Sequence, residues 1–172
     1  MRNLHFFRIV IITLFIFSCE SDDNTGNPIA ENPGVNAVIN GGTFNNFEFS
    51  DSIYQVTKQA TNNTITIDAG DTNGNQITIF LNSSGGFDSG TIKTMGDIDV
   101  NNFVTYVLIR QSNPQMSYYS SIGNVTITDN ITHPTESGIR LLSGNFEITA
   151  NPINDPTSTT MTGTFIELEY ED

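Results

Sequence analysis

Polar and apolar residues alternate through most of this chain. Thr64-Ile65-Thr66-Ile67-Asp68-Ala69 sets Ile65, Ile67 and Ala69 on one face and Thr64, Thr66 and Asp68 on the other. Ile77, Ile79 and Leu81 repeat the pattern, and Val125-Thr126-Ile127-Thr128 is a third case. A period of two marks strands with one face buried and one in water. Further strands are expected over 35–40, 43–49, 54–59, 90–94, 103–110, 117–121, 140–150 and 159–170, with no twelve-residue window showing a helical apolar stripe. About ten short strands divided by turn residues predict an all-β domain, either an antiparallel β-sandwich or a partly open barrel.

Turn chemistry fixes two registers. A two-residue turn at Asn73-Gly74 would set Ile79 opposite Asp68 and mix buried with wet positions on one face. A three-residue loop Thr72-Asn73-Gly74 pairs Ile67 with Ile79 and Ile65 with Leu81 instead, with Gly74 in the left-handed position such a loop requires. Near the end, Leu142-Ser143-Gly144-Asn145-Phe146 is echoed by Met161-Thr162-Gly163-Thr164-Phe165. An antiparallel pair with Phe146 opposite Gly163 and Phe165 opposite Gly144 lets each ring cover the bare backbone of a glycine. After Phe165 the apolar phase shifts to Ile166, Leu168 and Tyr170, the slip a β-bulge produces.

The N-terminus breaks the alternation. Arg2 and Arg8 precede a run from Ile9 to Phe17 that is apolar except for Thr13, then Ser18 and Cys19. Nine residues make roughly 14 Å of helix, less than half of a hydrocarbon core of about 30 Å, so the run is too short to span. Its layout is that of a secretory signal peptide over residues 1–18. Ile16-Phe17-Ser18-Cys19 resembles a bacterial lipobox, which implies cleavage between Ser18 and Cys19 and lipidation of Cys19. Cys19 is the chain's single cysteine, so no disulfide framework is available to the domain. Residues 19–34 hold Glu20, Asp22 and Asp23, then Asn, Thr, Gly and two prolines, a composition that cannot bury apolar area. A flexible tether of roughly 20 Å root-mean-square reach is expected there, leaving 35–172 as one all-β domain. The acidic cluster Glu20, Asp22, Asp23 resembles the surface-export signal of Bacteroidota lipoproteins.

Charge narrows the partners. The 172 residues carry 6 basic and 19 acidic side chains, a formal charge of −13. Removing residues 1–18 takes Arg2 and Arg8 and no acid, so the mature balance is four against 19, or −15. So few cations cannot build a nucleic-acid-binding patch. The partner expected is the membrane, through acylated Cys19, with a glycan or a protein as further possibilities.

The lipobox and acidic tether, the Gly-Phe strand, the Asn154-Asp155-Pro156 loop and the terminal Thr-Gly-Thr-Phe strand together resemble a group of uncharacterised Bacteroidota lipoproteins, a domain of unknown function. The likeness is strongest over 122–166 and implies an all-β lipoprotein domain. It supplies no catalytic residue.

Searches for chemistry return little. His133 is the one imidazole of the mature chain and reads as a loop residue in solvent, in Asn130-Ile131-Thr132-His133-Pro134, so neither a zinc set nor a Ser-His-Asp triad is built around it. No phosphate loop or dinucleotide fingerprint is present. Asp71-x-Asn73-x-Asn75 and Asp97-x-Asp99-x-Asn101 imitate half a calcium loop, but the first has Gln76 and Asn82 where Gly and Glu are due, and the second fails likewise. No metal, no cofactor and no catalytic residue is assigned. Asp51-Ser52-Ile53 resembles a Bacteroidota O-glycosylation triplet. Among the tyrosines, neighbours Tyr118 and Tyr119 on one strand must point to opposite faces, so at least one is open to a stacking partner. The reading is a non-enzymatic, lipid-anchored β domain at the outer membrane and cell surface, serving binding or envelope structure. Its alternatives are a small-molecule or glycan carrier with a pocket in the barrel, and a carboxylate-dependent hydrolase.

Overall fold

The computed structural model describes residues 32–153, 155 and 157–172. Ser18, Cys19, Glu20, Asp22 and Asp23, with the expected signal peptide and most of the expected tether, lie outside the described residues. Ten strands follow in order: β1 Gly34–Gly41, β2 Phe44–Ser50, β3 Ile53–Gln59, β4 Thr64–Gly70, β5 Gln76–Leu81, β6 Ile92–Thr94, β7 Tyr106–Gln111, β8 Met116–Thr132, β9 Ile139–Pro152 and β10 Thr159–Glu171. They form one sheet in the order β2-β1-β10-β9-β8-β7-β5-β4-β3, with β6 added against β8. The sheet curls into a half-barrel. Its concave face holds a single core that includes Ile65, Ile79, Val107, Ile127, Phe146 and Phe165.

Both registers read from the turns are present. Ile65 faces Leu81 and Ile67 faces Ile79, and Gly74 has a φ of 82°. On the closing hairpin, Phe146 lies across from Gly163 and Phe165 across from Gly144. A Cβ at Gly144 would collide with the Phe165 ring, and one at Gly163 with the Phe146 ring and the Asn36 carbonyl. The ladder shifts between Phe165 and Leu168, with Glu167 at a φ of 46° and its N–H donating to Ser143 Oγ at 2.9 Å.

Four expectations need correction. Ile166, expected with Leu168 and Tyr170 in the core, is 40% exposed, because the bulge begins at that residue and burial resumes at Leu168. Gly34 already pairs with Ile166, so the ladder takes one residue from the expected tether. The separate strands over 117–121 and 125–128 are one strand, β8, bent by register shifts at Ser120/Ile122 and Ile127/Asp129. Phe103 and Val104 precede β7 rather than belonging to it.

Curling follows from how the edges are connected. Six antiparallel steps separate β10 from β3, so these two run in the same direction; two steps make β2 run that way too. Only Asp51 and Ser52 separate β2 from β3. The pair is therefore one long kinked stave that leaves β1 and joins β4, drawing the two sheet edges together. Asp51 pins the kink, its N–H donating to Val35 O at 3.1 Å and its Oδ1 accepting from Val35 N at 2.9 Å.

Candidate functional site

The antiparallel meander sends alternate connections to the same end of the barrel. The β1–β2, β4–β5, β7–β8 and β9–β10 turns therefore gather at one mouth. There Thr43, Phe44, Asn45 and Phe47 face Asn73, Asn75, Gln111, Ser112 and Asn113 across a cleft of about 430 Å³. Its floor is aromatic. Phe44 packs on Tyr118 with centroids 5.5 Å apart and on Phe47 at 5.6 Å, both tilted.

Hydrogen bonds hold the walls. Asn75, buried, receives the Ser112 N–H on Oδ1 at 3.0 Å and donates from Nδ2 to Asp71 Oδ2 at 2.7 Å, tying the β4–β5 turn to the β7–β8 turn. Ser112 Oγ donates to Asn73 O at 2.7 Å. Across the floor, Thr43 Oγ1 lies 2.8 Å from Tyr118 Oη and donates to Gln111 Oε1. The exposed side-chain amides of Asn45, Asn73 and Asn113, by contrast, have no hydrogen-bond partner among the described residues. None of the nine lining residues is charged. Ligand sites favour such barrel mouths, with a few polar groups around an apolar floor.

A second cleft, of about 480 Å³, lies along the seam where β3 comes beside the last turn of β10, between Gln55, Val56, Thr57 and Lys58 and Ile139, Glu169, Tyr170 and Glu171. Lys58, Glu169 and Glu171 are its charged lining. Lys58 bonds Asp172, which also lies 3.7 Å from Arg140, and the Lys58 bond draws the Asp172 carboxyl below the usual range. Burial raises the Tyr54 phenol, opposed by the Glu169 backbone N–H and reinforced by the Glu169 and Asp51 carboxylates.

At the far end, residues 82–105 fold over the barrel. Asn82, fully buried, donates from Nδ2 to Asp97 O at 2.8 Å and to Phe103 O at 3.0 Å. Lys93 is buried too; its Nζ donates to Asn82 O at 2.9 Å and to Ser84 O, and sits 4.2 Å from the Phe87 ring centroid. Burial lowers the Lys93 ammonium to about 8, with the Asp99 carboxylate opposing. Burial also pushes Asp99 upward, but hydrogen bonds from Phe103, Ser83 and Asn101 outweigh it and hold its carboxyl low.

The sequence-derived candidates are scattered. Asp71, at the head of one half calcium loop, and Asp99, at the third position of the other, accept hydrogen bonds from their own turns, Asp71 Oδ1 from Asn73 N and Asn75 N at 2.8 Å each, and Asp99 Oδ1 from Asn101 N and Phe103 N. They cap turns. His133, expected in solvent, is buried instead; its Nδ1 accepts the Glu136 N–H at 2.9 Å and organises the β8–β9 loop, while Nε2 lies 3.7 Å from Glu169. Tyr118 is fully buried and Tyr119 is 43% exposed on the outer face, as their adjacency requires. Tyr106 is stacked on Phe80 at 5.3 Å, so one ring face is already used. Ser52 Oγ donates to Gly70 O in the β2–β3 kink. Sequence reading missed Thr43, Phe47, Gln111 and Asn113. No signal in the sequence joins them: with 43–49 and 54–59 counted as separate strands, the β1–β2 and β4–β5 turns would fall at opposite ends.

No family model, curated protein or solved structure matches the chain.

Proposed function

We propose that this chain is a lipid-anchored binding domain of the outer membrane, displayed at the cell surface, with its ligand site at the barrel mouth. The observation that carries the reading is the cleft itself: amides without a partner among the described residues, over an aromatic floor, with no titratable side chain among the described lining residues. General acid–base chemistry needs a titratable group at the reacting atoms, so the lining favours binding over hydrolysis. The interior is occupied by the core, which favours a ligand at the mouth over one inside the barrel.

Connectivity supports display. The chain enters the barrel at Gly34, and β1 carries it to Gly41 beside the cleft. Seven steps of about 3.3 Å separate these ends by roughly 23 Å. A domain held by acylated Cys19 through residues 20–33 thus has its mouth at the far end of the strand next to the anchor. Several acyl chains, at about 0.8 kcal/mol per buried CH₂, make such anchoring nearly permanent.

Cys19→Ala should leave the chain uncleaved after Ser18 and unlabelled by a palmitate analogue; normal processing of that variant would refute the anchor. Added protease should remove the domain from intact cells. Protection in intact cells, with digestion after lysis, would place it on the inner side of the membrane.

A further inference from the structure

A strongly acidic protein with an uncharged cleft restricts the ligands that cleft can hold. A formal charge of −13 repels polyanions at long range, and no cation is among the described residues lining the mouth to recapture them. Arg110, next to Gln111, lies on the opposite strand face, paired with exposed Gln76. A cationic ligand would find no carboxylate in the lining, since Asp71 behind it is bonded to Asn73 and Asn75. The ligand should be neutral.

Its polarity follows from the free groups. A primary amide offers donors and an acceptor side by side, and each sugar hydroxyl is likewise donor and acceptor. Asn45 reaches the cleft from β2, and Asn73 and Asn113 from two different turns, so they surround a ligand rather than follow a line. Half-buried Phe47 offers the flat apolar surface that the C–H face of a sugar ring covers. An extended peptide fits less well. It would need a straight strand edge to add to, and β2 is bent in front of the cleft by Asn46, whose φ is 45°, and by the register shift between Ile39 and Gly41.

We infer that the mouth lined by Phe47, Asn45, Asn73 and Asn113 binds a neutral glycan, with a sugar ring laid on Phe47 and its hydroxyls paired to the three amides. This deepens the binding reading above and rests on it.

The test is affinity electrophoresis of the full-length protein in a neutral detergent, in native gels containing one soluble polysaccharide each. Mannan, galactomannan, xyloglucan, dextran and laminarin are the neutral probes; polygalacturonate and heparin are the acidic ones. Retardation is expected in at least one neutral gel and in neither acidic gel, and 0.5 M NaCl in the sample and gel should not abolish it. Phe47→Ala should weaken that binding at least tenfold. Because Phe47 also packs on Phe44, the Asn73→Ala/Asn113→Ala double variant, which touches no core residue, should do the same while keeping the parent circular dichroism. Tyr119→Ala, on the outer face, should bind as the parent does. No retardation in any neutral gel, or retardation indifferent to the mouth variants, overturns the glycan assignment. A thermal-shift screen with neutral, non-sugar small molecules separates the two failures. A Tm rise that the double variant loses would leave the mouth a binding site and refute only the glycan; no rise with any probe would remove both readings.

Discussion

The two ends of this barrel use polar residues in opposite ways. At the capped end, Asn82, Lys93 and Asp99 are buried, and their hydrogen bonds run to the backbone of the 82–105 segment or to Ser83. At the mouth, the side chains of Asn45, Asn73 and Asn113 are exposed and have no hydrogen-bond partner among the described residues. Similar residue types thus do structural work at one end and stand unengaged at the other. A buried polar group without a partner costs free energy, so a cap must satisfy its own. Exposed amides carry no such debt, and their gathering around Phe47 sets the mouth apart from ordinary surface.

The closing hairpin underlies both ends and should show the largest effects. Phe146 and Phe165 are 3% and 0% exposed, each over a glycine of the partner strand. Phe165→Ala should cost about 3–5 kcal/mol in urea unfolding, and Gly144→Val should also destabilise, since its side chain would take the space of the Phe165 ring. A loss below about 1 kcal/mol for Phe165→Ala would show that the two ends do not share this support. The cap should come next. Asn82→Ala removes one of two hydrogen bonds at each of the Asp97 and Phe103 carbonyls, which keep the Thr105 and Asp99 N–H groups, and leaves the Ser84 N–H without its partner; a cost of about 1–3 kcal/mol is expected. A neutral result would mean the cap is held by its apolar contacts alone.

How much of this was legible in the sequence follows the same division. Strand alternation and the Gly-Phe echo gave the β class, the hairpin register and the three-residue β4–β5 loop, because burial on one face constrains every second residue. The buried places of His133, Lys93 and Asn82 were not readable, because polarity alone does not show which loops fold back over a core. The mouth was also hidden. Thr43, Asn73 and Gln111 lie far apart in the chain and meet only because β2 and β3 act as one stave, and the two-residue Asp51-Ser52 kink gives no periodic signal.

The pH dependence of stability isolates the cap. Burial holds the folded-state pKa of Lys93 at about 8, against 10.5 for the free side chain. Between those values the unfolded chain binds the extra proton, so this group makes the fold more stable as pH rises from 8. Tyr54 acts in the other direction above pH 10, because its raised pKa keeps the proton on the folded form. The window to measure is therefore pH 8 to 10. The parent should gain about 1–2 kcal/mol relative to Lys93→Met across it; parallel curves for the two would put the Lys93 ammonium in water.

The smallest effect is the sharpest test of the contrast, because it compares two asparagines two residues apart. Asn75 is buried and joins Asp71 to Ser112, whereas the Asn73 side chain bonds nothing among the described residues. Asn75→Ala should cost about 1–3 kcal/mol, since it strands the Ser112 N–H and one Asp71 oxygen. Asn73→Ala should stay within about 0.5 kcal/mol of the parent, as exposed substitutions without a structural partner do. The same holds for Asn45→Ala and Asn113→Ala, and for all three combined if the sites are independent. A triple variant that unfolds at clearly lower urea would mean that the mouth amides support the fold, and the contrast between the two ends would fail. A triple variant as stable as the parent leaves these three side chains available to a ligand, so any change in polysaccharide binding can be assigned to lost contacts rather than to a weakened barrel.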